Sequence, residues 1–328
     1  MSDNLIEVNT LKVHFPIKGG ILLKEVAKVH AVDGVSLKIK SGETLGLVGE
    51  SGCGKSTLGK ALLQLIKSTS GSVKYKNEEL IGIPRSQMRQ HRKNLQIIFQ
   101  DPSESLNSRH TVEKILLEPL EIHNIGTKQE RKEKIKSLLA KVGLPEDSLN
   151  KYPHEFSGGQ KQRIGIARAI ALEPELIVCD EAVSALDVSV QSQILNLLLD
   201  LQEEMNLSYL FIAHDLAVVR HISDKVAVMY LGKIVEFTDA DTIYKRPLHP
   251  YTKALISAIP EPDPTKKKER IILQGDVPSP IDPPSGCRFH TRCPYATDKC
   301  KSEEPELVNH KTPDGAEHLA ACHYAGKL

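Results

Sequence analysis

Residues Gly49 to Thr57 read GESGCGKST and fit G-x-x-x-x-G-K-[ST], a spacing whose chemistry is phosphate capture. Gly49, Gly52 and Gly54 let the backbone curl, so that the N–H groups of the intervening Glu50, Ser51 and Cys53 can converge on one centre. A phosphate oxygen can occupy that centre. Lys55 can reach the β- and γ-phosphates of a nucleotide, and the Ser56 hydroxyl, beside Thr57, is placed to ligate Mg2+. Cys53 reads as a small residue whose backbone is what counts, although a thiol near a helix N-terminus can be activated. A second constellation is LIVCDE, Leu176 to Glu181, an apolar run ending in two carboxylates. Asp180 can hold the metal through a water. Glu181, expected on the other side of the pleat, can polarise a water for attack on a γ-phosphate. A third is FSGGQKQR, Phe156 to Arg163, where SGGQ opens an amphipathic stretch. The backbone N–H groups there and the Ser157 hydroxyl offer a second anion site at a helix N-terminus.

Each of these needs an element to aim it. The buried-type run TLGLV, Thr44 to Val48, reads as a strand feeding the glycine turn, and Ser56 to Lys67 as the amphipathic helix that leaves it. Short strands are expected before it, in LIEVNTLKVHF and AVDGVSLKI, separated by the insert IKGGILLKE. From about Asp101 to Ala171 the chain is charged and helical in pattern. After LIVCDE come a helix (VQSQILNLLLDLQEEM), a strand (SYLFIAHD), a short helix (LAVVRHIS) and two strands around KVAVMYLGKIVE. Alternating strands and helices argue for an α/β fold with a mainly parallel sheet. From about Pro260 the chain turns Pro-rich and charged, as linker or extended loop; Lys266 to Arg270 is better read as solvated linker than as a lipid patch.

A chain of 328 residues implies one large domain with an extension, or two domains. With 43 basic against 42 acidic residues, no strong field argues for nucleic acid or anionic lipid as a partner. No apolar run approaches the roughly 20 residues that span a bilayer, and the N-terminus lacks a signal-peptide core. The chain is therefore expected in the cytoplasm, reaching a membrane only through a partner. Six cysteines in such a compartment do not read as a disulfide framework. Cys287, Cys293, Cys300 and Cys322 follow C-x5-C-x6-C-x21-C among Gly, Pro and His, with little apolar sequence to form a core. A segment of that kind often needs a metal to fold. Four thiolates suit tetrahedral Zn2+ or an iron–sulfur cluster, and His290 or His323 can replace one of them. The spacing does not choose, and four free structural cysteines are the bland alternative.

In order along the chain come GESGCGKST, FQDP with Gln100, FSGGQ, LIVCDE, SALD with Asp187, and IAHD with His214. In this order the sequence resembles the nucleotide-binding domains of ABC transporters. The resemblance implies ATP and Mg2+ as ligands. It implies a P-loop NTPase fold of the ABC type: a RecA-like core, an antiparallel β-subdomain, a helical signature subdomain near 101–171, and a small cysteine-containing C-terminal extension. Gln100 should contact Mg2+ and the attacking water. Ser157, Gly158, Gly159 and Gln160 should contact ATP held by an opposing domain, Asp187 should bridge the two halves, and His214 should hold the γ-phosphate and Glu181 in line. Phe15 is the candidate for stacking on adenine. Two departures, Phe156 for Leu and Ala182 for Pro, remove no reactive group.

Longer stretches, among them IIFQDPSESLNSR, PLHPYTKALISAIP and GDVPSPIDPPSGCRFHTRCP, are similar to the F-type ATP-binding subunit of oligopeptide and dipeptide permeases. This implies an ATPase that drives peptide import, with a nucleotide-binding domain over 1–262 and a permease-type C-terminal region over 263–328. It implies a D-type ATPase partner, two transmembrane permease subunits, an extracytoplasmic peptide-binding protein, and a peripheral place on the cytoplasmic face of the membrane. It also favours [4Fe–4S] over Zn2+ at the four cysteines. The alternatives are a soluble ABC ATPase uncoupled from transport, usually a two-half chain or one with nucleic-acid-binding elements, and a regulatory subunit without turnover. Glu181 and His214 argue against the last.

Overall fold

The computed structural model describes residues 4–20, 24–260, 269–310 and 315–327. Part of the insert in the first hairpin and most of the Pro- and Lys-rich run, including Lys266 to Lys268, lie outside the described residues. The chain divides into two compact units. The first comprises Met1–Ile39, Thr44–Ile81 and Ala213–Leu328; the second comprises Lys40–Glu43 and Gly82–Ile212.

In the first unit, Asn4–Gly19 and Lys24–Lys40 are long strands of a four-stranded sheet completed by Ser70–Tyr75 and Glu78–Glu79. The first pairs antiparallel with Ser70–Tyr75. Alternation holds in two stretches either side of a register irregularity between Asn9 and Lys12: Ile6 and Val8 are buried before it, and Leu11 and Val13 are buried around exposed Lys12. The strand Thr44–Val48 is buried along its whole length and pairs parallel with Lys225–Tyr230. A strand covered on both faces must be apolar throughout, which is why TLGLV shows no alternation. Lys225–Tyr230 in turn pairs antiparallel with Lys233–Asp239.

The helix after the glycine turn spans Lys55–Leu62, shorter than the expected Ser56 to Lys67. It stops because the chain reverses: Gln64 adopts φ +54°, a conformation that ends a right-handed helix. The C-terminal segment also departs from the expectation of linker and loop alone. His318–Ala320 pairs antiparallel with Lys233–Asp239, and Val308–Asn309 pairs with His318–Ala320. These strands are two and three residues long, too short to leave a periodic signal in the sequence. A buried carboxylate fixes the join. Glu236, fully buried, accepts the N–H groups of Leu248 (2.7 Å) and His249 (2.9 Å) and lies 2.7 Å from His318 Nε2.

In the second unit, three parallel strands, Leu95–Ile98, Leu176–Asp180 and Ser208–Ala213, stand side by side. The longer helices of this unit are Val112–Ile122, Lys128–Lys141, Gly158–Ile170 and Val188–Met205, as the helical pattern of the sequence leads one to expect.

Candidate functional site

The first unit carries the phosphate loop. Gly54 caps the helix Lys55–Leu62 at φ +109°, and a Cβ built there would stand 1.9 Å from the Ala31 carbonyl oxygen. Only glycine meets both conditions, so the third glycine of the motif is a steric requirement. Lys55 is 4% exposed, and its Nζ donates to the carbonyls of Gly49 (2.7 Å) and Glu50 (3.0 Å). Its ammonium is thereby held over the loop it belongs to. Ser51 and Gly52 face solvent, and Ser56 and Thr57 are half-buried in the first turn of the helix. Cys53 is 3% exposed, and burial, opposed by the Lys55 charge, pushes its thiol pKa up. It is not an activated thiol, as expected. Phe15 lies on the strand Asn4–Gly19 with its ring 39% exposed. His214 is exposed, just before the helix Leu216–Ile222, whose N-cap Asp215 accepts the Ala217 N–H at 2.7 Å.

The second unit carries the carboxylates and the signature turn. Asp180 ends the strand Leu176–Asp180 and is 3% exposed. Glu181 does not continue the pleat, contrary to the sequence reading. It adopts φ +49°, its N–H donates to Ile212 O at 3.0 Å, and its own carbonyl accepts the Ser184 hydroxyl at 3.0 Å. The left-handed turn re-aims the side chain where alternation alone would have placed it across the sheet. Gln100 Nε2 donates to Glu181 Oε2 at 2.8 Å, so two residues 81 apart in sequence are brought together. Burial pushes the thiol of neighbouring Cys179 far up; this fully buried group is structural.

Ser157 caps the helix Gly158–Ile170 through a capping box. Its hydroxyl accepts the Gln160 N–H (3.3 Å) and its own N–H donates to Gln160 Oε1 (3.0 Å). Ser157, Gly158 and Gln160 are exposed, and Gly159 is half-buried. A Cβ at Gly159 would meet Val190 Cγ1 at 2.5 Å. Asp187 caps the next helix, Val188–Met205, accepting from Val190 N (3.0 Å) and the Ser189 hydroxyl (2.9 Å). These bonds, the backbone one first, hold its carboxyl below the usual range. Exposed Val188 follows it directly, at 79%.

Back in the first unit, Cys287, Cys293, Cys300 and Cys322 line one small cavity with His249, Phe289 and the candidate ligands His290 and His323. None of the four is paired in a disulfide. Burial raises the pKa of Cys287 to about 11, and raises those of Cys293 and Cys322, before the other thiols add their share. Among the described residues, the trio of candidate ligand atoms within 4.8 Å of one another is His14, His30 and Asp33, not any three of the sulfurs. Sequence reading missed that trio. Cations already occupy its carboxylate: Asp33 pairs with Arg288 and with Lys12 at 3.5 Å, and lies 3.1 Å from His14 Nε2 within the trio. Burial raises the Asp33 pKa, but Arg288 and His14 outweigh burial and hold it down at about 2. The trio anchors the C-terminal segment and does not suit a metal ion. Tyr251 and Arg292, both hydrogen-bonded to Glu50, belong to no motif of the sequence.

Residues 32–184 match the ABC transporter family, and residues 235–300 match the family described as oligopeptide/dipeptide transporter, C-terminal region. The chain is 52% identical over 324 residues to the oligopeptide transport ATP-binding protein AppF of Bacillus subtilis, covering 98% of this chain and 97% of that one. It is 55% identical over 308 residues to the oligopeptide transport ATP-binding protein OppF of Escherichia coli, covering 92% of each. Its fold is similar to that of cbiO1 from Clostridium perfringens, part of the ABC transporter complex cbiONQ (TM-score 0.63, 26% identity, 74% of this chain and 92% of that one). It is also similar to the ATP-binding cassette MJ0796, a dimer in a post-hydrolysis state bound to ADP and Pi (TM-score 0.64, 27% identity, 72% and 98%).

Proposed function

The chain belongs to the oligopeptide-transport ATP-binding subunits of the ABC transporters, and from that membership we propose how its motifs divide the work. It binds and hydrolyses ATP as the motor of a peptide importer, with membrane permease subunits as partners. Within it, the loop Gly49–Thr57 takes the phosphates of one ATP and Phe15 its adenine. Mg2+ is held by Ser56, Asp180 and Gln100, and Glu181 with His214 prepares the attacking water. The signature Ser157–Gln160 serves the ATP of a second ATPase domain, and Asp187 lies at the same junction. The observation that carries this reading is the exposed signature turn: a helix N-terminus whose Ser157, Gly158 and Gln160 all face outward, beside exposed Val188. ATP then joins two domains, and loss of the γ-phosphate lets them part.

The second ATPase domain is that of a D-type subunit. Two transmembrane permease subunits and an extracytoplasmic peptide-binding protein complete the importer, with no nucleic acid. Among the described residues no helix is long and apolar enough to cross a membrane. That fits a peripheral place on the cytoplasmic face. Residues 1–262 are the motor and 263–328 a permease-type extension.

The four cysteines hold a [4Fe–4S] cluster rather than Zn2+. Supporting a metal centre, the four thiols line one small cavity, and the resemblance of this region to peptide-permease ATPases favours the cluster over zinc. The cluster would cross-link loops that have little core of their own, and binding it releases the protons of thiols that burial keeps protonated.

Native purification from membranes tests the assembly. Two membrane subunits and a second ATPase should come with this chain, and turnover should fall at least ~100-fold in Glu181→Gln. Recovery of the chain alone, or with RNA or DNA, contradicts the assembly, and equal turnover in both proteins contradicts the role of Glu181. Anaerobically purified protein should be brown with about four irons per chain; a colourless protein with one zinc overturns the cluster.

A further inference from the structure

Glu50, the second residue of the phosphate loop, is held at each of its polar groups. Its carbonyl accepts Lys55 Nζ at 3.0 Å, within the loop. Its N–H donates to the Tyr251 hydroxyl at 2.8 Å. Its carboxylate takes both terminal nitrogens of Arg292, at 2.7 and 3.1 Å. Tyr251 is fully buried and Arg292 has a side chain only 8% exposed, so neither contact is a passing surface encounter. A two-pronged guanidinium–carboxylate bond in such a place fixes geometry as well as charge. Tyr251 packs against Tyr230 and Phe289 with ring centroids 4.8 and 5.4 Å apart. Phe289 and Arg292 both sit between Cys287 and Cys293, in a segment tied to Cys300 by the Cys287 N–H (2.8 Å to Cys300 O).

We propose that Arg292 and Tyr251 are positioning residues of the phosphate loop, through which the cysteine segment sets the affinity for ATP. Neither touches the nucleotide in this scheme; both act through Glu50. Lys55 draws its two loop carbonyls from Gly49 and Glu50. Shifting Glu50 therefore shifts the lysine, and with it the donors that receive the β- and γ-phosphates. The cysteine segment belongs to the same lever, because Arg292 is the residue before Cys293. The inference rests on the reading of Gly49–Thr57 as the ATP site.

The test uses the full-length chain purified with its native metal content, assayed for binding of a fluorescent ATP analogue and, in its transport complex, for turnover. Arg292→Ala should raise KM and the dissociation constant about tenfold with kcat within about twofold, the scale of one charge-assisted bond. Arg292→Lys should fall between, having lost the fork. Exchanging the charges, Glu50→Arg with Arg292→Glu, should recover affinity that either change alone loses. Cys293→Ser should raise KM too, and add little to Arg292→Ala, since both act on one lever. Tyr251→Phe removes only a hydroxyl and serves if Arg292→Ala fails to fold; it should also raise KM. Unchanged KM in folded Arg292→Ala and Tyr251→Phe overturns the proposal, as does a charge exchange that stays as weak as the single variants. Failure of the wild-type chain to bind ATP would instead overturn the reading of the loop itself.

Discussion

Glu181 occupies a backbone position that residues other than glycine rarely adopt, at φ +49°. Such positions cost of order 1–3 kcal/mol and persist where surrounding bonds over-determine them. Here the bonds to Ile212 O and from Ser184 do so, and the gain is a carboxylate within 2.8 Å of Gln100. His249 is a residue-scale case with a different consequence. It is buried, its Nδ1 accepts the Tyr251 N–H at 3.1 Å, and burial, opposed by Glu236, lowers its pKa to about 4. Unfolded, the imidazole takes up its proton near pH 6.5; folded, only near 4. Between those values the unfolded chain binds more protons, so stability falls as pH drops through that window, by up to about 3 kcal/mol. Urea melts at pH 7 and pH 4.5 should show this loss reduced in His249→Asn, which keeps a cap acceptor without titrating. An identical loss in both proteins contradicts the assignment.

At the scale of elements, the two exposed turns of the second unit depend on each other. Gly159 lies so close to Val190 that a methyl group cannot be added without displacing the first turn of the helix that Asp187 caps. Gly159→Ala should lose about 1–3 kcal/mol by overpacking, with reduced ATP turnover. Val190→Ala in the same chain should recover most of both, because the next contact is an ordinary 3.7 Å. Thermal melts and turnover of the two variants check this; no recovery in the double variant means that Gly159 is needed for another reason. The strand, glycine turn and helix around Gly49–Thr57 were legible in the sequence because they follow one another within a few residues. Glu181 was misplaced across the pleat because alternation extends a strand and cannot show where it turns off. The helix after Lys55 was drawn too long for the same reason, as periodicity in Ser56 to Lys67 does not register the turn at Gln64.

At the scale of the molecule, what eluded the sequence lies in pairings of remote residues. Arg292 with Glu50, His318 with Glu236, and Arg288 with Asp33 are separated by 242, 82 and 255 positions. No local pattern encodes such pairs, and they are what attaches the cysteine segment to the phosphate-loop unit. The larger claim is that one chain holds parts of two nucleotide sites and completes neither. Turnover measured against protein concentration, with sedimentation to report the mass of the species present, tests it most directly. The expected result is weak turnover from the monomer, rising with concentration or on adding the second ATPase subunit, and reduced when this chain carries Ser157→Arg. Full turnover per chain from a strictly monomeric sample, independent of concentration, would contradict it.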